Sequence, residues 1–293
     1  MPFAIDAGPK LGANEFRLLR ELINDFCGIA FGNDSLYVVE RRLRERLLHL
    51  GIADFADYYA YLRYHGDAAA ELERAVDDLT TNETYFFREA YQLDAFRDEV
   101  LPDLAERSAG RRRLSLWSAG CSTGEEVYTL AIMLDRSRLF EGWDLRVFGN
   151  DISRRVLQVA RRGAYGASSF RSMPAGLDDY FLTSADGRVV HPRIRSMCHF
   201  AHMNLLDTNR AALLGRVDVI FCRNVLIYFD PESRKRVIES FYDRLLPGGF
   251  LMLGHSESLL NVSTAFELVH LRSDLVYRKP RTAGLSTRPL VPR

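Results

Sequence analysis

The chain is 293 residues long, 47% hydrophobic and 27% charged, which is ordinary globular composition with enough apolar mass for a large domain and a smaller companion. Lysine plus arginine and aspartate plus glutamate both number 39, so the whole-molecule field gives no general attraction to nucleic acid. Four scattered cysteines without a CxxC, and seven histidines without HExxH or HxH, argue against a disulfide framework, a zinc site or any other metal centre.

The N-terminal stretch MPFAIDAGPK lacks the basic start and apolar core of a signal peptide, and no run of about 18 uncharged apolar residues occurs, so a soluble cytoplasmic protein is expected. Residues 1–79 read as a helical domain. Phe16, Leu19, Leu22, Ile23 and Phe26 recur at helical spacing, as do Leu36, Val39, Leu43, Leu47 and Leu50, with Gly28 and Gly51 as stops. A third helix starts near Asp54 and carries Phe55, Tyr58, Tyr59 and Leu62, and a fourth is AAAELERAVDDL. RRLRER at 41–46 reads as a solvated helix face; through Arg41, Arg42, Arg44 and Arg46 it would meet an acidic partner.

Residues 80–113 connect this domain to the next and contain TTNETYFFRE, where Asn82 and Thr84 offer side-chain hydrogen bonds and Arg88 a fork for a carboxylate. From residue 114 short apolar runs alternate with helical ones: LSLWS, EVYTLAIML, LRVFGND, SRRVLQVARRG, DVIFC. That alternation predicts βαβ units and a parallel sheet over 114–280, an α/β fold. RKRVIESFYDRLL follows as a helix ended by Pro247-Gly248-Gly249, then FLMLGH as a strand and LVYRKP as an edge strand. DDYFLTSADGRVVHPRIRSMCHFA, about 178–201, breaks the alternation and reads as short antiparallel strands around an Asp186-Gly187 turn. Residues 281–293, rich in Pro, Arg, Ser and Thr, read as a disordered tail.

The turn AGCSTG between the first strand of this domain and its helix lets a ligand approach the backbone, but it is neither GxGxxG nor a phosphate-binding loop with its lysine. Glu125 and Glu126 at the helix start repel phosphate; S-adenosylmethionine has none and carries a sulfonium. Asp151 ends the second strand, where a carboxylate meets a ribose diol or caps the next helix, and its position favours the ribose. CRNVLIYFD brings Arg223, Asn224 and Tyr228 to the carboxyl end of DVIFC, places where packing alone seldom puts such residues.

Taken jointly, TTNETYFFRE, WSAGCSTGEEVYTLA, FGNDIS, MNLLD and FCRNVLIYFD resemble the chemotaxis receptor methyltransferases of the CheR type, over most of residues 14–279. The resemblance implies an all-α N-terminal domain before a Rossmann-like S-adenosylmethionine domain with a small inserted antiparallel β subdomain. It also implies transfer of a methyl group to glutamate side chains on the cytoplasmic helical bundle of chemoreceptors, leaving S-adenosylhomocysteine. Cofactor contacts are expected at Asn82, Thr84, Arg88, Glu125, Asp151, Asn204, Leu205, Arg223 and Asn224, with Tyr228 near the transferred methyl; Arg88 would hold either the cofactor's carboxylate or the incoming glutamate, and the cofactor's carboxylate is the favoured role. Where many members have GEEPYS this chain has GEEVYT, which loses a preset backbone angle and blocks nothing. In some relatives the β subdomain docks a receptor's C-terminal peptide, a point that SADGRVVHPRIR leaves open. The alternatives are a methyltransferase acting on a small molecule or RNA, and a regulator that binds the cofactor without catalysis.

Overall fold

In the computed structural model, which describes residues 8–185 and 187–281, four helices come first: α1 (Ala13–Cys27), α2 (Leu36–Leu50), α3 (Phe55–Tyr64) and α4 (Ala68–Leu79). Gly28 and Gly51 end α1 and α2 with left-handed φ of 77° and 68°, a conformation that glycine adopts without the Cβ penalty. Asp54 caps α3 by accepting the N–H of Asp57. Leu19, Ile23, Leu43, Leu47 and Tyr58, all fully buried, close a separate apolar core for this domain. Inside it the fully buried Glu71 accepts from Arg46 at 2.9 and 2.5 Å and from the Tyr58 hydroxyl at 2.9 Å, so the buried charge is matched.

The connecting segment is largely helical: α5 (Ala90–Ala95), a π-helical turn (Phe96–Val100) and α6 (Leu101–Ser108) run on from one another. There follow β1 (Arg113–Ala119), α7 (Glu125–Ser137), β2 (Asp144–Asp151), α8 (Arg154–Arg162), β3 (Ala164–Tyr165), β4 (Phe181–Ser184), β5 (Gly187–Val190), α9 (Pro192–Arg195), β6 (Cys198–His202) and α10 (Thr208–Leu213). The chain closes with β7 (Val217–Cys222), α11 (Pro231–Arg244), β8 (Leu245–Leu253), β9 (Glu267–His270) and β10 (Leu275–Arg278). The main sheet has the order β6-β2-β1-β7-β8-β10-β9, parallel from β6 to β8 and antiparallel beyond. Every residue of β7 is buried, as a strand covered on both faces requires. Strand order reverses between β1 and β7, and such a switch point opens a crevice at the carboxyl ends of the strands.

Several boundaries differ from expectation. The small sheet is β3-β5-β4 and begins at Ala164, whereas β6 pairs in parallel with β2, Val147 opposite Cys198 through Asp151 opposite His202, and so belongs to the main sheet. Alternation along a strand does not say which sheet receives it. Asp186 of the expected turn lies outside the described residues, as do residues 282–293 of the expected tail. LVYRKP is not at the edge, because β9, unmarked by any strong pattern, pairs outside it. Pro247-Gly248-Gly249 does not end the helix: α11 stops at Arg244 and the tripeptide lies within β8, where the register against β7 slips between Val217 and Val219. A Cβ at Gly249 would stand 2.8 Å from the Asp218 carbonyl, so close strand approach explains that glycine.

Candidate functional site

The loops at the carboxyl ends of β1, β2 and β7 meet the segments after α1 and α4 around a cavity of about 310 Å³. In the glycine turn, Gly120 takes φ 77° and a Cβ there would stand 2.5 Å from Val225 Cγ2. Ser122 also has positive φ, 49°, and its N–H donates to Asp151 Oδ2 at 2.8 Å, while Ser153 N–H donates to Oδ1 at 2.9 Å. Asp151 thus folds the turn back onto β2. Ser153, whose hydroxyl accepts from Val156 N–H, is the cap of α8, so the capping alternative for Asp151 falls away. Burial raises the pKa of the Asp151 carboxyl, against the backbone hydrogen bonds from Ser153 and Ser122.

The cavity brings together Asn82, Thr84, Arg88, Asp151, Asn204, Leu205, Arg223, Asn224 and Tyr228. Glu125 is the exception: its carboxylate is buried away from the cavity and accepts from Thr123 Oγ1 at 2.6 Å and Ser169 Oγ at 2.8 Å. Its neighbour Glu126 lines the cavity, accepting from Ser118 Oγ at 2.7 Å and Arg223 Nη1 at 3.2 Å. Adjacent helical residues point about 100° apart, so only one of the pair can face the crevice.

Arg223 is buried and donates through Nη2 to the Arg88 carbonyl at 2.5 Å and to Glu89 Oε2 at 3.1 Å. Phe87 and Glu89, on either side of Arg88, have φ of 58° and 56°, an outlier for a bulky residue such as Phe87. The Arg223 fork therefore holds a strained bend that presents Arg88 to the cavity. Arg88 in turn donates Nη1 to the Glu83 carbonyl at 2.7 Å. Asn204 acts as a tie, donating to the Phe26 carbonyl at 2.6 Å and accepting from Leu206 N–H at 3.0 Å. Asn224 stands at φ 60° with Oδ1 buried and without a hydrogen-bond partner among the described residues. Tyr228 is 38% exposed while lining the cavity, so it stands at the mouth. Its carbonyl accepts from Ala30 N–H at 2.8 Å, and Asp230 N–H donates to the Gly28 carbonyl at 3.1 Å, which zips the Tyr228 loop to the segment after α1. That zipper needs Gly28, where a Cβ would stand 2.8 Å from Phe229 Cδ1.

The arginine run does not form a solvated face. Arg42 donates to the carbonyls of Leu79 and Thr80 at 2.6 and 3.1 Å, at the C-terminus of α4, Arg44 pairs with Glu40 at 2.6 Å and Arg46 with Glu71; Arg41 is exposed. A carbonyl pair and an acid distant in sequence turn Arg42 and Arg46 inward, and no local signal marks those two, whereas Arg44 pairs with Glu40 one turn earlier on its own helix. Glu257 was likewise unmarked, although its carboxylate meets the 223–228 loop. Among the described residues no group of three or more His, Cys, Asp or Glu stands placed to hold a metal ion.

Comparison with known proteins now bears on this geometry. A family model described as CheR methyltransferase, SAM binding domain matches residues 82–275, and one described as CheR methyltransferase, all-alpha domain matches residues 14–80. The chain belongs to the CheR methyltransferase family. Chemotaxis protein methyltransferase 2 of Vibrio cholerae is 38% identical over 269 residues, covering 91% of this chain and 93% of that protein. Chemotaxis protein methyltransferase 1 of Pseudomonas aeruginosa is 35% identical, covering 90% and 97%, and a chemotaxis protein methyltransferase of Klebsiella aerogenes is 37% identical, covering 89% and 88%. This CheR-type chain is an S-adenosylmethionine-dependent methyltransferase, and its fold is the expected all-α domain followed by a Rossmann-like domain with a small antiparallel sheet. The cavity suits that cofactor: Asp151 and Glu126 set negative charge where a cation and a diol are welcome and phosphate is not, and the unpartnered Asn224 Oδ1 calls for a donor.

Proposed function

We propose that this chain methylates glutamate side chains on the cytoplasmic helical bundle of chemoreceptors, in the cytoplasm, giving glutamate methyl esters that tune chemotaxis-type signalling. The observation that carries the reading is the cavity's lining, where half-exposed Tyr228 and half-buried Arg88 share one cavity with buried Asp151 and half-buried Glu126. No helix among the described residues is long and apolar enough to cross a membrane.

S-adenosylmethionine, when bound, supplies a methyl group on a sulfonium sulfur, which leaves as a neutral thioether once a carboxylate oxygen takes the methyl. A glutamate side chain, with an ordinary pKa of about 4.3, is ionised at neutral pH, so the protein has no proton to remove from the nucleophile. What its residues must do is orient and exclude water. In this reading Asp151 holds the ribose, Asn82, Thr84, Leu205 and Asn224 line the nucleoside, and Glu126 replaces Glu125 beside the cationic end. Arg88 takes the cofactor's carboxylate. Arg223 and Asn204 act through the loops they tie. The Tyr228 ring covers the reacting centre and sets an aromatic face against the sulfonium.

The test offers receptor cytoplasmic fragments and methyl-labelled cofactor to the purified protein. Label on the fragment that is released as methanol by mild base is expected. Label that reaches only small molecules or RNA, or none at all despite tight binding of S-adenosylhomocysteine, rejects the receptor reading.

A further inference from the structure

We propose that Glu257, in the loop after β8, is a positioning residue for methyl transfer, setting the 223–228 loop that carries Asn224 and Tyr228. The inference rests on the reading that places those two residues against the cofactor. The loop's own hydrogen bonds, Tyr228 N–H to the Val225 carbonyl and Phe229 N–H to the Leu226 carbonyl, close only the turn at its end. Its beginning is held from the end of the neighbouring strand, β8. Glu257 Oε2 accepts the N–H of Asn224 at 2.9 Å and of Gly254 at 2.8 Å, and Oε1 accepts the N–H of Val225 at 2.9 Å and of Ile227 at 3.3 Å.

An ionised carboxylate accepts only, with about four lone-pair sites, and four backbone donors occupy them here with charge assistance. The fit is close on both sides, because a Cβ at Gly254 would stand 2.8 Å from both Asn224 N and Glu257 Oε2. One carboxylate thus joins the loop after β7 to the end of β8. Asn224 is kept at φ 60° with its unpartnered Oδ1 buried at the cavity, and Tyr228 at the mouth. Glutamine has the same shape and the wrong polarity: whichever oxygen its NH2 replaces, two backbone donors then face a donor.

The test compares Glu257→Gln with Leu104→Ala, a cavity-forming change in the buried face of α6, in a core cluster that contains no residue of the 223–229 loop. Displacing the loop by a fraction of an ångström is expected to weaken S-adenosylhomocysteine binding, read by calorimetry, at least about tenfold in Glu257→Gln. Leu104→Ala should lower the thermal midpoint without that loss. Because Glu257 acts in part through Asn224, adding Asn224→Ala to Glu257→Gln should weaken binding by less than the sum of the two single losses. Additive losses, or Glu257→Gln binding as tightly as Leu104→Ala, overturn the proposal. Should Glu257→Gln fail to fold, Glu257→Asp keeps both acceptor oxygens at shorter reach: weakened binding in a folded protein supports the role, and parental affinity rejects it. Unaltered protein that binds the thioether yet esterifies no receptor would refute the receptor reading while leaving this comparison standing.

Discussion

Glu125 and Glu126 are neighbours at the start of α7 with different surroundings, one enclosed by Thr123 and Ser169 and the other joined to Arg223 at the cavity. Burial raises the folded-state pKa of Glu125 above its ordinary 4.5, so between those two values the folded protein keeps a proton that the unfolded chain has lost. Stability therefore falls as pH rises through that window, and the penalty is complete above it. Glutamine escapes the penalty, and the two hydroxyls can turn to suit it. Glu125→Gln is thus expected to be more stable than the parent at pH 7 in denaturant titrations, with the difference shrinking as pH falls towards 4.5, and to bind S-adenosylhomocysteine unchanged. Glu126→Gln should weaken that binding about tenfold, the scale of one charged hydrogen bond. The reverse order of effects would contradict the assignment of the cavity-facing acid.

Between elements, the decisive contact is that of α4 with the N-terminus of α8. Asp77 on α4 accepts from the Ser153 hydroxyl and from Arg155 N–H, the latter at 3.1 Å, so a residue of the helical domain satisfies an otherwise orphaned donor of the α/β domain. It also places negative charge at the positive end of α8. Asp77→Ala is expected to lose about 1–2 kcal/mol in urea unfolding, as loss of a cap does. Glu73→Ala, which removes a neighbouring ion pair with Arg154 whose partners are 35% and 59% exposed, should lose less than about 0.5 kcal/mol. Equal losses would show that Asp77 is one more surface charge. α2 makes the complementary point, because RRLRER has the composition of a solvated stripe yet ties α2 to α4 through Arg42 and Arg46.

At the scale of the molecule, the cavity has walls from both domains: Ile29, Ala30 and Arg42 on one side, Gly120, Asp151 and Asn224 on the other. The bond from Ala30 N–H to the Tyr228 carbonyl and that from Asn204 to Phe26 cross the same boundary. A ligand in that cavity must stabilise both halves together. S-adenosylhomocysteine at a hundred times its Kd is expected to add about 2.7 kcal/mol, raising the thermal midpoint by roughly 4 °C for a chain of this size. Calorimetric scans should show the helical and α/β domains shifting together; a shift of one transition alone would mean that the cavity is not shared.

The sequence by itself determined the helices of the first domain, the alternation that builds the parallel sheet, and the family strings that carry most of the cavity residues. Those signals are local: apolar spacing, glycine stops, and short motifs whose residue types suit a sulfonium nucleoside. Tertiary structure alone decided which of two adjacent acids faces the crevice, that β6 joins the main sheet and β9 forms its edge, and that Arg42 and Arg46 turn inward. It also decided that Glu257 holds a loop 33 positions earlier in the chain. Each of these depends on partners brought together by folding, and the free energy of a hydrogen bond or an ion pair is set by what surrounds it, which no window of neighbouring residues contains.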